Sequence, residues 1–215
     1  MITNYHELTV GKYEAIMEAQ HRHADNINRR NLAILSILTG RPEDELLDMK
    51  VPQFRKLMDK AAFLRRPLRS APVRKSYTLG DMTLRVVADI DKMTTAQYID
   101  FQTLAKASDD RLAELLSCFL LPEGRRYNVD YDIAEVHHAI REHMSATDAH
   151  GLLAFFFRTS HRSMLSTLRS SAATLSRANR KKNDPRLTRA TIELHLSILS
   201  LRSGDGFRTS TPLLK

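Results

Sequence analysis

Helical spacing of the apolar residues is the feature that most restricts what this chain can fold into. Leu32, Leu35 and Leu38 illustrate the three-residue interval, and similar spacing recurs in most of the sequence. Glycine and proline number seven each in 215 residues, too few for an all-β domain with a turn every ten residues. The sequence therefore predicts a mainly α-helical body.

Capping residues indicate where the helices begin and end. Gly40 is expected to end one helix, because glycine at this position adopts the left-handed conformation without steric cost. Proline favours the first turn of a helix, and Ser, Thr and Asp can accept hydrogen bonds from its unpaired amides. Further helix starts are predicted at Pro42, Pro52, Thr94 or Thr95, Ser108, Asp132, and Ser145 or Thr147.

One block of the sequence changes period. Residues 76–88 alternate β-forming side chains around Gly80 and Asp81, which favour a hairpin turn. The preceding residues 65–75 contain two prolines and five basic residues, and they are predicted to form a linker or loop. We expect a single β-hairpin at about 76–90, packed on helices because an isolated hairpin is only marginally stable.

The distribution of charge divides the chain into two parts. Residues 158–215 contain 12 Lys and Arg against 3 Asp and Glu, which gives this part a net charge of +9. The net charge of the whole chain is +8. Residues 1–157 have 21 basic and 22 acidic groups, a net charge of −1. The predicted organisation is a helical body with the hairpin (1–157) and a basic Ser/Arg-rich extension (158–215) that ends in an amphipathic helix at 187–201.

The basic extension (158–215) and the apolar run before it (Leu152–Phe157) are the expected contact surfaces. The run is the densest apolar patch in the chain, and the basic side chains suit an acidic protein surface first and nucleic-acid phosphates second. Beyond residue 157 the only aromatic residue is Phe207, which disfavours a groove that stacks single-stranded bases. The residues expected to bind a partner are Phe155, Phe156, Phe157, Arg158, Arg162, Arg169, Arg177, Arg180, Lys181 and Lys182.

No catalytic signature is visible in the sequence. Glycine-rich phosphate loops and a Gly-x-Ser-x-Gly elbow are missing, and Cys118 lies in an apolar helical run that predicts a core position. A single cysteine forms no intramolecular disulfide and suits a reducing compartment. We expect no catalytic residue, cofactor or small-molecule substrate, and the acidic stretch at 89–135 leaves an enzyme as the third alternative.

The nine histidines are not spaced like helical metal ligands. His21 and His23 are two residues apart, and His138 and His143 are five apart, whereas a helical pair needs three or four. We therefore expect no metal. No run reaches the eighteen or so apolar residues that span a bilayer, and residues 1–10 are too polar for a signal peptide. The expectation is a soluble intracellular chain without a membrane partner.

Five sequence blocks stand in a characteristic order along the chain: ILTG (37–40), LMDKAAFL (57–64), DIDKMTTAQYIDF (89–101), LLPEGRRY (120–127) and MSATDA (144–149). This order resembles that in small helical proteins encoded among the tail and morphogenesis genes of tailed bacteriophages, which are described as tail-assembly-chaperone-like or virion-associated. The resemblance spans about residues 8–157.

The resemblance implies a non-enzymatic structural or assembly protein. Its partners would be other phage structural proteins in an oligomeric assembly, in the host cytoplasm during assembly or in the virion. The alternative function is a nucleic-acid-binding module that uses the basic extension on viral DNA.

Overall fold

The computed structural model describes residues 1–87, 92–104 and 111–159, and in these the prediction of a mainly helical fold is confirmed. The first helices are α1 (Val10–Arg22), α2 (Ile27–Thr39), α3 (Glu43–Leu47) and α4 (Val51–Lys60), followed by a 3-10 turn (Ala61–Arg65). Two strands, β1 (Ser76–Leu79) and β2 (Met82–Val86), precede α5 (Thr95–Leu104), α6 (Leu112–Ser117), β3 (Leu120–Pro122) and α7 (Ile133–His143). Helix α8 covers residues 146–159.

Most predicted helix ends are confirmed by the hydrogen bonds of their caps. Gly40 ends α2 with a φ of 71°, and Asp132 opens α7 by accepting from the amide of Ala134 at 2.8 Å. Thr94 opens α5 in a reciprocal pair: its hydroxyl accepts from the amide of Gln97, whose side chain accepts from the amide of Thr94. Pro42 occupies the N-cap of α3 and not its first helical position.

The β structure is larger than the single predicted hairpin. Strands β1 and β2 form that hairpin, with Leu79 opposite Met82 and a φ of 61° at Gly80 in the turn. Strand β3 adds to β2 in antiparallel register, with Val86 opposite Leu120, and completes a three-stranded sheet. The expectation that the hairpin is the only β element was therefore wrong.

Strand β3 (Leu120–Pro122) lies at the end of an apolar run whose spacing favours a helix. Leu115, Leu116, Phe119 and Leu120 have helical spacing, but α6 ends at Ser117 and residues 120–122 are extended. An uncovered β2 edge would leave a row of backbone donors and acceptors unpaired, and pairing with β3 satisfies them. Tertiary hydrogen bonding thus overrides the local helical pattern.

Two large hydrophobic clusters form most of the core of the described body, and Val87, Leu121 and Tyr127 form a smaller third one. The first joins α1 to α4 around residues such as Ile16, Leu35 and Leu64. The second joins the sheet to α6, α7 and the start of α8, around residues such as Leu84 and Ile140. Helices α1 and α8 contribute to both, α1 through Ile16 and Val10 and α8 through Ala146 and Leu152, so these two helices connect the clusters.

The segment predicted as a linker or loop, residues 65–75, begins with the last residue of the 3-10 turn and continues as a loop at 66–75 that is fixed to the body. The hydroxyl of Tyr5 donates to the carbonyl oxygen of Arg66 at 3.0 Å, and the amide of Ala71 donates to the carbonyl oxygen of Thr147 at 3.0 Å. Ser70 Oγ and His150 Nδ1 are 2.9 Å apart. The segment is therefore a packed connection within the body.

The described residues fall into two units, 1–154 and 155–159. The predicted basic extension beyond residue 159, including its amphipathic helix at 187–201, lies outside the described residues, and so does the predicted helix start at Ser108. Within the described ranges, no helix is long and apolar enough to cross a membrane.

Candidate functional site

Four of the ten predicted partner-binding residues lie in the part of the chain that the structure describes. Phe156 is buried, Phe155 and Phe157 are half-buried, and Arg158 is exposed. Their use as a contact surface stays a prediction. The other six lie outside the described residues: Arg162, Arg169, Arg177, Arg180, Lys181 and Lys182.

A buried carboxylate joins three helices of the body. Glu14 on α1 accepts from the backbone amide of Ala113 in the first turn of α6 at 2.7 Å and from Nε of Arg141 on α7 at 2.7 Å. Both of its oxygens are therefore used. Because one bond neutralises its charge and the other caps a helix, Glu14 has a structural role in this arrangement.

A serine and a histidine also meet inside the body. Ser117 Oγ lies 2.9 Å from Nε2 of His137, and Ser117 is buried. Burial lowers the pKa of His137, with the carboxylate of Glu114 opposing this shift. The Ser117 hydroxyl faces the interior, so a dissolved substrate does not reach it in this conformation.

The prediction that Cys118 belongs to the core is confirmed. Its side chain is fully buried, and burial raises the pKa of the thiol to about 11. Sγ lies 3.8 Å from the hydroxyl of Tyr127, which in turn donates to Asp100 at 2.9 Å. A thiol with this pKa is almost fully protonated at neutral pH and is a poor nucleophile.

The histidines and acidic residues have separate local partners. His143 lies against the hairpin turn, where a Cβ added to Gly80 would be 3.0 Å from its Nε2. Asp130 pairs with Arg126 at 3.1 Å, and Asp132 caps α7. Among the residues of the described ranges, no group of three His, Cys, Asp or Glu side chains could hold a metal ion.

Two large aliphatic side chains face solvent where α3 gives way to α4. Leu47 is 64% exposed and Val51 is 62% exposed, and we call this pair the α3–α4 corner. Leu46 fills the core from the same helix, so the next residue, about 100° further around, points outward. Val51 begins α4 on the same stripe as Phe54 and Met58, which pack against the first cluster. The apolar stripe of α4 thus continues from the core into solvent.

This corner was not among the contact surfaces predicted from the sequence. Leu46 and Leu47 are adjacent and chemically identical, so only the packing of α3 determines which one is buried. The available signal was an apolar residue at the first position of a helix whose other face is charged.

Comparisons of the chain with protein-family models, with characterised proteins and with solved structures find no match.

Proposed function

We propose that this chain is a non-enzymatic structural or assembly protein of a tailed bacteriophage that acts through protein–protein contacts. The resemblance over residues 8–157 supplies the class of protein. The exposed α3–α4 corner is the observation that carries the proposal, because it offers an apolar surface that a partner can cover.

The energetic gain from covering the corner is substantial. Full burial of a Leu or Val side chain stabilises by about 1.5–3 kcal/mol, and both side chains are more than half exposed. Covering the pair would therefore contribute on the order of 2–3 kcal/mol to association. Single exposed aliphatic residues are common on protein surfaces, but these two lie four residues apart in the sequence, and Val51 extends the stripe of α4 that packs against the first cluster.

Charged residues surround the corner. The first turn of α3 contains Glu43, Asp44 and Glu45, and Lys50 immediately precedes Val51. Arg41 pairs with Glu45 at 3.2 Å. An apolar centre with a charged, solvent-exposed rim is the usual anatomy of a protein interface, and we expect the partners to be other structural proteins of the same assembly or further copies of this chain.

The test compares two double variants of the full chain. L47S/V51S removes the corner, and I27S/V129S removes two other exposed aliphatic residues, which are 53% and 66% exposed. Binding to the purified products of the neighbouring genes is measured by biolayer interferometry, and self-association by sedimentation velocity. We expect L47S/V51S to weaken one of these associations about tenfold or more, which corresponds to about 1.4 kcal/mol.

The control variant is expected to associate like the wild-type chain, and both variants to keep its thermal unfolding midpoint. Wild-type affinity in L47S/V51S would contradict the proposal. The alternative function, viral DNA binding by the basic extension, predicts the reverse pattern. DNA affinity would survive L47S/V51S and fall on neutralisation of Arg177, Arg180, Lys181 and Lys182.

A further inference from the structure

The near-neutral body contains a strongly basic segment of its own. Residues 50–75 include nine Lys and Arg against one acidic residue, Asp59, a net charge of +8. Because residues 1–157 have a net charge of −1, the rest of the body has a net charge of −9. All nine basic side chains are exposed: Lys50, Arg55, Lys56, Lys60, Arg65, Arg66, Arg69, Arg74 and Lys75.

Helix α4 separates its charged and apolar faces. Phe54, Leu57 and Met58 pack against the first hydrophobic cluster. Lys56 falls on the opposite side of the helix at about 100° per residue, Arg55 and Lys60 flank it, and all three are exposed. Burial of one face therefore orients the basic residues of α4 toward solvent.

The loop at 66–75 presents its basic side chains from a fixed backbone. Tyr5 holds the carbonyl oxygens of Leu64 and Arg66, at 3.3 and 3.0 Å. Further along, the amide of Ala71 donates a hydrogen bond to the carbonyl oxygen of Thr147, and the carbonyl oxygen of Lys75 accepts one from the amide of Val86 at 2.9 Å. Anchoring at both ends lowers the entropy lost when a ligand orders these side chains.

The positive charges of the segment are largely uncompensated. Residues 61–80 contain no acidic residue. Arg74 pairs with Asp148 at 3.9 Å, and among the described residues none of the other eight basic side chains of the segment forms an ion pair. Exposed cations without partners create a positive potential that attracts a polyanion.

We infer that the basic side chains of the 50–75 segment form a second binding face, one that takes the phosphate backbone of double-stranded nucleic acid, whereas Val51 of the same segment belongs to the α3–α4 corner. Its exposed residues between 65 and 75 are Arg, Lys, Pro and Ser, whereas Leu68 and Val73 are half-buried. A protein interface has an apolar or aromatic centre that is depleted in Lys, and this stretch has none. The net charge of −9 on the rest of the body would repel phosphate and orient the basic segment toward the duplex.

The experiment measures the salt dependence of duplex binding by three variants of the full chain. R65Q/R66Q/R69Q neutralises the loop, and K12Q/R29Q/R85Q neutralises three exposed basic residues outside the segment. R177Q/R180Q/K181Q neutralises part of the basic extension. Fluorescence anisotropy follows a random duplex of about 24 bp between about 50 and 200 mM NaCl, with poly-glutamate as a second probe.

We expect R65Q/R66Q/R69Q to reduce the slope of log affinity against log salt by about two to three, about one for each lost phosphate contact. K12Q/R29Q/R85Q should reduce the slope by less than about one. The inference is overturned if both body variants behave alike, or if only the extension variant reduces the slope. Binding of poly-glutamate without binding of duplex would also overturn it, in favour of an acidic protein.

Discussion

Nε of Arg141 donates to Oε2 of Glu14 at 2.7 Å, but the two side chains differ in their access to solvent. Glu14 is 3% exposed and Arg141 is 54% exposed. Since the side chain of Arg141 can rotate toward solvent, its charge is hydrated and not buried when the ion pair is broken. Loss of Glu14 instead leaves the backbone amide of Ala113 unpaired, because this amide donates its hydrogen bond to the other carboxylate oxygen.

Replacement of Glu14 should therefore destabilise the body in proportion to the acceptors it loses. E14A removes both acceptors and leaves a buried amide unpaired, and we expect the free energy of unfolding to fall by about 2–4 kcal/mol. E14Q keeps an oxygen that can accept from Ala113, and the expected loss is about 1–2 kcal/mol. Urea unfolding measures both, and equal losses would show that the Ala113 bond contributes nothing.

The helix ends of this protein were predictable because their signals are local. Gly40 needs only its own left-handed conformation, and Asp132 reaches an amide two residues away. Strand β3 was not predictable, since Leu120 has the spacing of a helix and becomes extended through its pairing with Val86, 34 residues earlier. Local patterns do not contain that partner.

The candidate surfaces were less predictable than the fold. Which of Leu46 and Leu47 is buried depends on the packing of α3, and this decides where the α3–α4 corner lies. The 50–75 segment was visible in principle from the sequence. The net charge of −1 on residues 1–157 does not reveal the positive charge of this segment. The acidic residues elsewhere in the body cancel that charge in the sum, although they do not contact most of the basic side chains.

A methyl group at Gly151 should disrupt the contact between α8 and the loop at 66–75. A Cβ at this position would overlap the carbonyl oxygen of Ala71 and lie 3.1 Å from its carbonyl carbon, and backbone atoms cannot rotate away. We expect G151A to lower the free energy of unfolding by about 1–3 kcal/mol or more.

The matched control for this variant is G40A. Nothing lies within 4 Å of a Cβ at Gly40, but its φ of 71° is costly for alanine, by about 1 kcal/mol. G40N should recover part of this loss, since asparagine tolerates the left-handed region. Thermal unfolding of the three variants tests the account, and a G151A midpoint at or above that of wild type would refute the close contact.

Acidification should destabilise the body partly through His137. Burial lowers the pKa of this histidine in the folded protein, so the unfolded chain, in which the pKa is about 6.5, binds the proton more tightly. Its contribution to stability is fully present above about pH 6.5 and decreases as the pH falls toward the folded pKa. H137Q should show a smaller loss of unfolding free energy between about pH 7 and pH 5 than wild type.

His138 provides the control for this titration. It is the neighbouring residue on α7 and is exposed, so H138Q makes the same chemical change in the same helix without removing the half-buried imidazole of His137. His150, whose pKa burial also lowers, remains in both variants and keeps part of the acid sensitivity. An H137Q variant as acid-sensitive as wild type would show that His137 is not the titrating group.

Site-specific crosslinking shows whether a protein partner covers the α3–α4 corner. The only native cysteine is buried with a pKa of about 11, so L47C adds the one reactive thiol, and E123C places an equivalent thiol at an exposed site elsewhere. Each is labelled with a photoreactive maleimide and irradiated with the purified products of the neighbouring genes. We predict a defined crosslinked product from L47C and none from E123C, whereas equal yields, or no product from L47C, would contradict a protein-binding role for the corner.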